Sequence, residues 1–246
     1  MLGQAFLLMV LVACDKDNDV NPSTISSISQ AEIQAILDTD VATSSIDLIL
    51  SELHQNTDNS DKGQASNCYT VTSTENGFSV TFDTCALGSS EEISGTLDVV
   101  LGTGTGIPTY IATFQDFFVG KVNINGSRTI RFTETRENLV FAVSGDLTLT
   151  FDDGSTLRER GTKSFSMVFE NELQNTLSGN WIVEFDGKGY AISGVVSKTG
   201  ECDYWTSGSL ELTKDFTNVS VDFGDGSCDD QALITFVDGN SLVISL

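Results

Sequence analysis

The chain has 246 residues, 12 Lys+Arg against 35 Asp+Glu, and a formal net charge of −23. Such a balance argues against a nucleic-acid binder, whose phosphate partners require cations, and against adsorption to anionic lipid by charge. It does not imply disorder, because 39% of the residues are apolar and 9% aromatic, enough to build a core.

Phe6–Val12 is an apolar run, extending from Ala5 to Ala13 with the alanines included. It suits the h-region of a signal peptide and is too short to span a bilayer, which takes about 20 residues. Leu11-Val12-Ala13-Cys14 ends that run and resembles a bacterial lipobox, with the acidic stretch Asp15–Asp19 just behind it. The expectation is that residues 1–13 are a lipoprotein signal peptide and that Cys14 is acylated and becomes the first residue of the mature chain. Two or three acyl chains then hold the protein at a membrane, since each buried CH₂ contributes about 0.8 kcal/mol. The basic n-region that should open such a peptide is missing, which points to a start upstream of Met1. The competing reading is a buried apolar segment with an incidental cysteine, against which the polar residues directly after Cys14 argue. No later apolar segment is long enough to cross a membrane as a helix.

Residues 14–28 are rich in Asp, Asn and Ser and read as a flexible tether. Residues 29–55 read as helical. Ser29 with Glu32 has capping-box spacing, and Ile33, Ile36, Leu37, Val41, Ile46, Ile49, Leu50 and Leu53 recur at helical intervals. Thr43-Ser44-Ser45 is a point where this segment could break into two helices. His54, the one histidine, lies in a polar setting near the helix end. A single histidine removes most Ser-His-Asp, Cys-His and multi-histidine metal chemistry. It reads as a surface residue.

Residues 68–246 switch to period two. The clearest run is Phe141, Val143, Gly145, Leu147 and Leu149, alternating with Ala142, Ser144, Asp146, Thr148 and Thr150. One apolar and one wet face is the pattern of a half-exposed antiparallel strand. About a dozen such strands follow one another, punctuated by Glu75-Asn76-Gly77, Asn125-Gly126, Asp153-Gly154, Asp186-Gly187, Asp225-Gly226 and Asp238-Gly239. Gly102–Pro108 reads as an irregular loop. The expected fold is all-β: a single domain, residues 29–246, built as a large antiparallel meander curled into a barrel or half-barrel. A two-sheet sandwich is the alternative. The N-terminal helical segment packs on the sheet, covering or plugging its concave face. A membrane-spanning barrel is rejected, because the wet face is Ser, Thr and Asp without aromatic girdles.

Four cysteines follow Cys14: Cys68, Cys85, Cys202 and Cys228. An even number in an exported chain implies disulfides. Of three possible pairings, Cys68–Cys85 and Cys202–Cys228 are favoured, because each brackets one hairpin-like unit. A four-thiolate metal site is the rival, and it lacks any Cys-x-x-Cys pair. The densest acidic cluster, Asp222, Asp225, Asp229 and Asp230, could hold Ca²⁺, a hard cation wanting six to eight oxygens. Its spacing is not that of an EF-hand, and the favoured reading is a glycine-containing turn joined by a disulfide, with solvated acids around it. No other cofactor is implied. Glu134, Glu137, Glu170, Glu172 and Glu184 could supply paired carboxylates for glycoside hydrolysis. Phe117, Phe118, Trp181, Tyr204 and Trp205 could stack on sugars, although strand aromatics are more often core.

Two stretches resemble a known group. Cys202, Gly208–Thr213, Val221–Asp230, Asp238-Gly239-Asn240 and Val243–Leu246 form one, and Thr113–Val119 followed by Gly126–Thr129 form the other. They are similar to a family of uncharacterised Bacteroidota (flavobacterial-type) exported lipoproteins. The resemblance implies a secreted β domain with a Cys202–Cys228 bridge, and it carries no activity. Acidic runs after the lipidated cysteine in that phylum accompany export to the cell surface.

The expectation is therefore an outer-membrane-anchored lipoprotein facing the periplasm or the cell surface. It would be non-catalytic, with a binding or structural role and a protein or glycan partner. A surface glycan-binding module or glycan-directed hydrolase is the alternative, and a carrier of an amphiphilic ligand is the second.

Overall fold

In the computed structural model, which describes residues 28–57, 68–85, 92–102, 107–134, 138–169, 173–200 and 202–246, one helix precedes thirteen strands. The lipobox, Cys14 and the tether up to residue 27 lie outside the described residues. Helix α1 (Gln30–Thr57) begins where the capping box places it. The Ser29 N–H donates to Glu32 Oε2 at 2.7 Å, and the Glu32 N–H donates back to Ser29 Oγ at 3.3 Å. The helix does not break at Thr43-Ser44-Ser45. Thr43 is buried there and donates to Glu159 Oε2 at 3.0 Å, so tertiary partners override its weak helix propensity.

The strands are β1 (Tyr69–Thr74), β2 (Gly77–Cys85), β3 (Ile93–Leu101) and β4 (Thr109–Val119). β5 (Val122–Glu134), β6 (Asn138–Thr150), β7 (Thr156–Phe169), β8 (Leu173–Phe185) and β9 (Lys188–Thr199) are the long central ones. β10 (Ser207–Lys214), β11 (Thr217–Asp225), β12 (Gln231–Thr235) and β13 (Ser241–Ser245) complete the chain. Each pairs antiparallel with the next in a single sheet ordered β1 to β13. Among the described residues β13 does not pair back to β1, so the architecture is a curled open meander.

Asn125-Gly126 is not a turn. It lies within β5, opposite a bulge in β4 where the register jumps between Phe114 and Phe117. Gly126 has a φ of 123°, and a Cβ there would stand 2.2 Å from the Asp146 carbonyl oxygen. Glycine serves here to let two strands approach closely at a bend in the sheet. The β4–β5 turn falls instead at Gly120-Lys121, with Gly120 at a φ of 56°.

Alternation sends one face of each strand inward. Phe141, Val143, Leu147 and Leu149 of β6 are buried, and so are Leu177, Trp181 and Val183 of β8. These inward residues and the helix form one core. From Thr39 to Leu53 every described side chain of α1 is buried except Ser44, which is half-buried. A surface helix would keep a polar face in water, whereas one buried all round is a core helix. The sheet therefore wraps α1, which occupies its concave side.

Candidate functional site

A wrapped helix must satisfy every polar group it carries inside. Glu32, Thr39, Asp40, Thr43, Asp47 and Ser51 are all buried. Asp40, Thr43 and Asp47 are three and four residues apart in turn and so share one face of α1. The sheet meets them with charges placed at inward positions. Arg128 is in phase with Ile124, Ile130 and Phe132 of β5, and Glu159 and Lys163 are in phase with Leu157 and Phe165 of β7. Gly145 on β6 leaves room for the arginine, since a Cβ there would lie 2.8 Å from Arg128 Cδ.

The five charged groups form a continuous seam. Lys163 Nζ donates to Glu159 Oε2 at 2.7 Å, to Asp40 Oδ1 at 2.8 Å and to Thr43 Oγ1 at 3.2 Å, which uses all three of its protons. It also stands 4.6 Å from the centre of the Trp181 ring. Arg128 Nη2 donates to Glu159 Oε1 at 2.8 Å, and its Nε lies 3.3 Å from Asp47 Oδ1. The indole N–H of Trp205 donates to Asp40 Oδ2 at 3.3 Å. No charged side chain of the seam is more than 5% exposed.

Two cations face three carboxyl groups, so full ionisation would leave a buried negative charge uncompensated. Asp47 relieves it. Burial pushes its carboxyl up to about 7, against the pull of Arg128 and Lys163, and Glu159 and Asp40 push the same way. Neither Asp47 oxygen is in a hydrogen bond among the described residues, and neither is Arg128 Nε. Glu159 goes the other way. Burial alone would raise it, but Lys163 and Arg128 outweigh that and hold it at about 2. Lys163 is likewise desolvated, yet Asp40 and Glu159 keep it above its ordinary value.

A second cluster fastens the start of the helix. Glu32 Oε1 accepts from Tyr190 Oη at 2.6 Å, Lys214 Nζ at 3.0 Å and Lys188 Nζ at 3.1 Å. Burial opposes ionisation of Glu32, but these bonds and that from the Ser29 N–H hold its carboxyl well below the usual range. On the outer face Arg158 pairs with Asp146, and Arg160 with Glu184. These side chains are about a third to a half exposed and contribute little to stability.

The residues singled out from sequence do not gather in one place. Cys202 and Cys228 are disulfide-bonded across a Cα–Cα distance of 5.7 Å. The Cys68–Cys85 pairing falls on Cys85, whose side chain lies outside the described residues, as does that of His54. Asp222, Asp225 and Asp229 each accept a backbone N–H two residues on, from Gly224, Ser227 and Gln231. Asp230 accepts from Ser245 Oγ. Among the described residues no group of three or more His, Cys, Asp or Glu side chains is arranged to hold a metal. Glu184 points outward to Arg160, and the side chains of Glu134, Glu137, Glu170 and Glu172 lie outside the described residues. Phe117 and Trp181 are core, Trp205 is partly buried, and Phe118 and Tyr204 are exposed.

Sequence reasoning missed Asp40, Asp47, Arg128, Glu159 and Lys163. A signal was present: each is a charge standing in the apolar phase of an otherwise regular pattern. Comparison with protein-family models, curated proteins and solved structures finds no match for this chain.

Proposed function

We propose that the protein is a non-catalytic lipoprotein, held at the outer membrane by acylated Cys14, whose folded domain has a binding or structural role facing the periplasm or the cell surface. One observation carries the non-catalytic part: the concave side of the sheet, where a meander of this kind would receive a ligand, is occupied by α1. The charges that converge there are spent on one another and are sealed from solvent. That filling supports a scaffold over a carrier of amphiphiles, which needs a dry space of some hundreds of Å³. Contacts to a partner would fall on the Ser- and Thr-bearing outer face and the turns.

The anchor rests on Leu11–Cys14 and the polar stretch behind it. Its test is fractionation of cells making the full chain or its Cys14→Ala variant, with labelled palmitate in the medium. Label and membrane association should both disappear in the variant. Membrane association that persists unchanged sinks the proposal.

A further inference from the structure

We propose that Lys163 and Asp40 join in an intramolecular isopeptide bond, an amide between Lys163 Nζ and Asp40 Cγ, with Glu159 relaying the protons. The three groups are already arranged for it. Lys163 Nζ is 2.8 Å from one Asp40 oxygen and 2.7 Å from a Glu159 oxygen, and all three side chains are buried. The other Asp40 oxygen accepts the Trp205 indole N–H at 3.3 Å, and the Trp181 ring walls the amine at 4.6 Å.

The chemistry balances within the seam. Glu159 takes one proton from the ammonium and passes it to Asp40 Oδ1, leaving a neutral amine beside a carboxylic acid. The amine attacks Cγ, and charge develops on Oδ2, where the Trp205 N–H meets it. Glu159 carries a second proton from the nitrogen to Oδ1, which leaves as water, and Glu159 ends ionised as it began. An ammonium and a carboxylate become one amide and one water, with no oxidant or co-reactant.

Two physical factors favour the product. Fixing nucleophile and electrophile in contact supplies the proximity that makes amide formation from unactivated groups feasible. Conversion of a buried ion pair to a neutral amide also removes two desolvated charges, and the excluded water cannot readily reverse the step. Arg128 Nη2, 2.8 Å from Glu159 Oε1, leaves that carboxylate a cationic partner once the charge on Lys163 is gone. The bond would tie α1 covalently to β7 across 123 residues of chain.

Peptide mapping of the full chain decides it. Trypsin should release Asp17–Lys62, which contains Asp40, joined to Gly161–Lys188, with no cleavage after Lys163. Neither segment contains a cysteine, so disulfides do not interfere. The joined pair should be lighter than the two free peptides by one water, and fragmentation should place the link at Asp40 and Lys163. Recovery of Asp17–Lys62 and of Gly161–Lys163 as free linear peptides in full yield overturns the proposal. Lys163→Arg, which keeps the cation but cannot form the amide, should give only linear peptides. Glu159→Gln should join about a hundredfold more slowly after refolding. Joining at the wild-type rate in that variant refutes the relay. If either variant does not fold, the wild-type map still decides the bond.

Discussion

Asp47 should make this protein lose stability as the pH rises towards and through neutrality. Its carboxyl is pushed from an ordinary 3.8 up to about 7, by burial first and then by Glu159 and Asp40, over the opposition of Arg128 and Lys163. Between those values the folded chain holds a proton that the unfolded chain has released, so raising the pH favours unfolding. The stabilisation is complete below 3.8 and is lost as the pH climbs through about 7. At about 1.4 kcal/mol per pH unit, the interval amounts to about 4 kcal/mol. Glu159 acts in the opposite sense: held at about 2 from an ordinary 4.5, its contribution is present above 4.5 and fades as the pH falls towards 2. The contributions of these two groups together are largest between pH 3.8 and 4.5, on the acid side of the range about pH 5–8 where maxima commonly lie. Asp47→Asn removes the titration and keeps the shape. Urea unfolding from about pH 5 to about pH 8 should show wild-type stability falling and the variant's falling much less. Self-repulsion of a chain with net charge −23 acts on both proteins, so the difference between them isolates Asp47. Wild-type stability that rises across that range, or a variant with the wild-type slope, refutes the reasoning.

Arg128→Met should cost about 3–5 kcal/mol in denaturant melts at neutral pH, because Glu159 and Asp47 would lose a buried cation. The outer-face change Arg160→Ala, which breaks only the half-exposed pair with Glu184, should cost under about 1 kcal/mol. Replacing Cys202 by Ser frees a closed segment with a sequence separation of 26 and should lower stability by about 3 kcal/mol. Thermal unfolding of wild type and variant, with and without reductant, measures it, and reductant should affect the Cys202–Cys228 increment in the wild type alone.

The elements were legible because their signals are local. Ser29 and Glu32 mark the start of the helix by capping chemistry alone. The alternation through Phe141–Leu149 marks a strand with one buried face, and the face it marks is the one buried. Where local signals were ambiguous, tertiary partners chose. Asn125-Gly126 has the composition of a hairpin turn, but the same tolerance of positive φ suits a bend inside β5, and the pairing with β4 and β6 made it one. Thr43-Ser44-Ser45 has weak helix propensity, yet Glu159 and Lys163 gave Thr43 buried partners within the helix.

The seam was a different case. Glu159 and Lys163 sit four residues apart in a strand, and they share a face only because the strand alternates. Their partners Asp40 and Asp47 are more than a hundred residues away, and Arg128 reaches them from another strand. Periodicity alone could show that these charges stand at inward positions, and nothing in it shows whether an inward charge is paired. Sequence by itself determined the strand order, the sidedness of each strand and the helix start, since each depends on neighbours along the chain. Only the tertiary structure decided that the open sheet curls round the helix and buries its middle, from Thr39 to Leu53. That wrapping brings two cations and three carboxyl groups into one dry space, where the low dielectric makes their pairing and the proton on Asp47 matter.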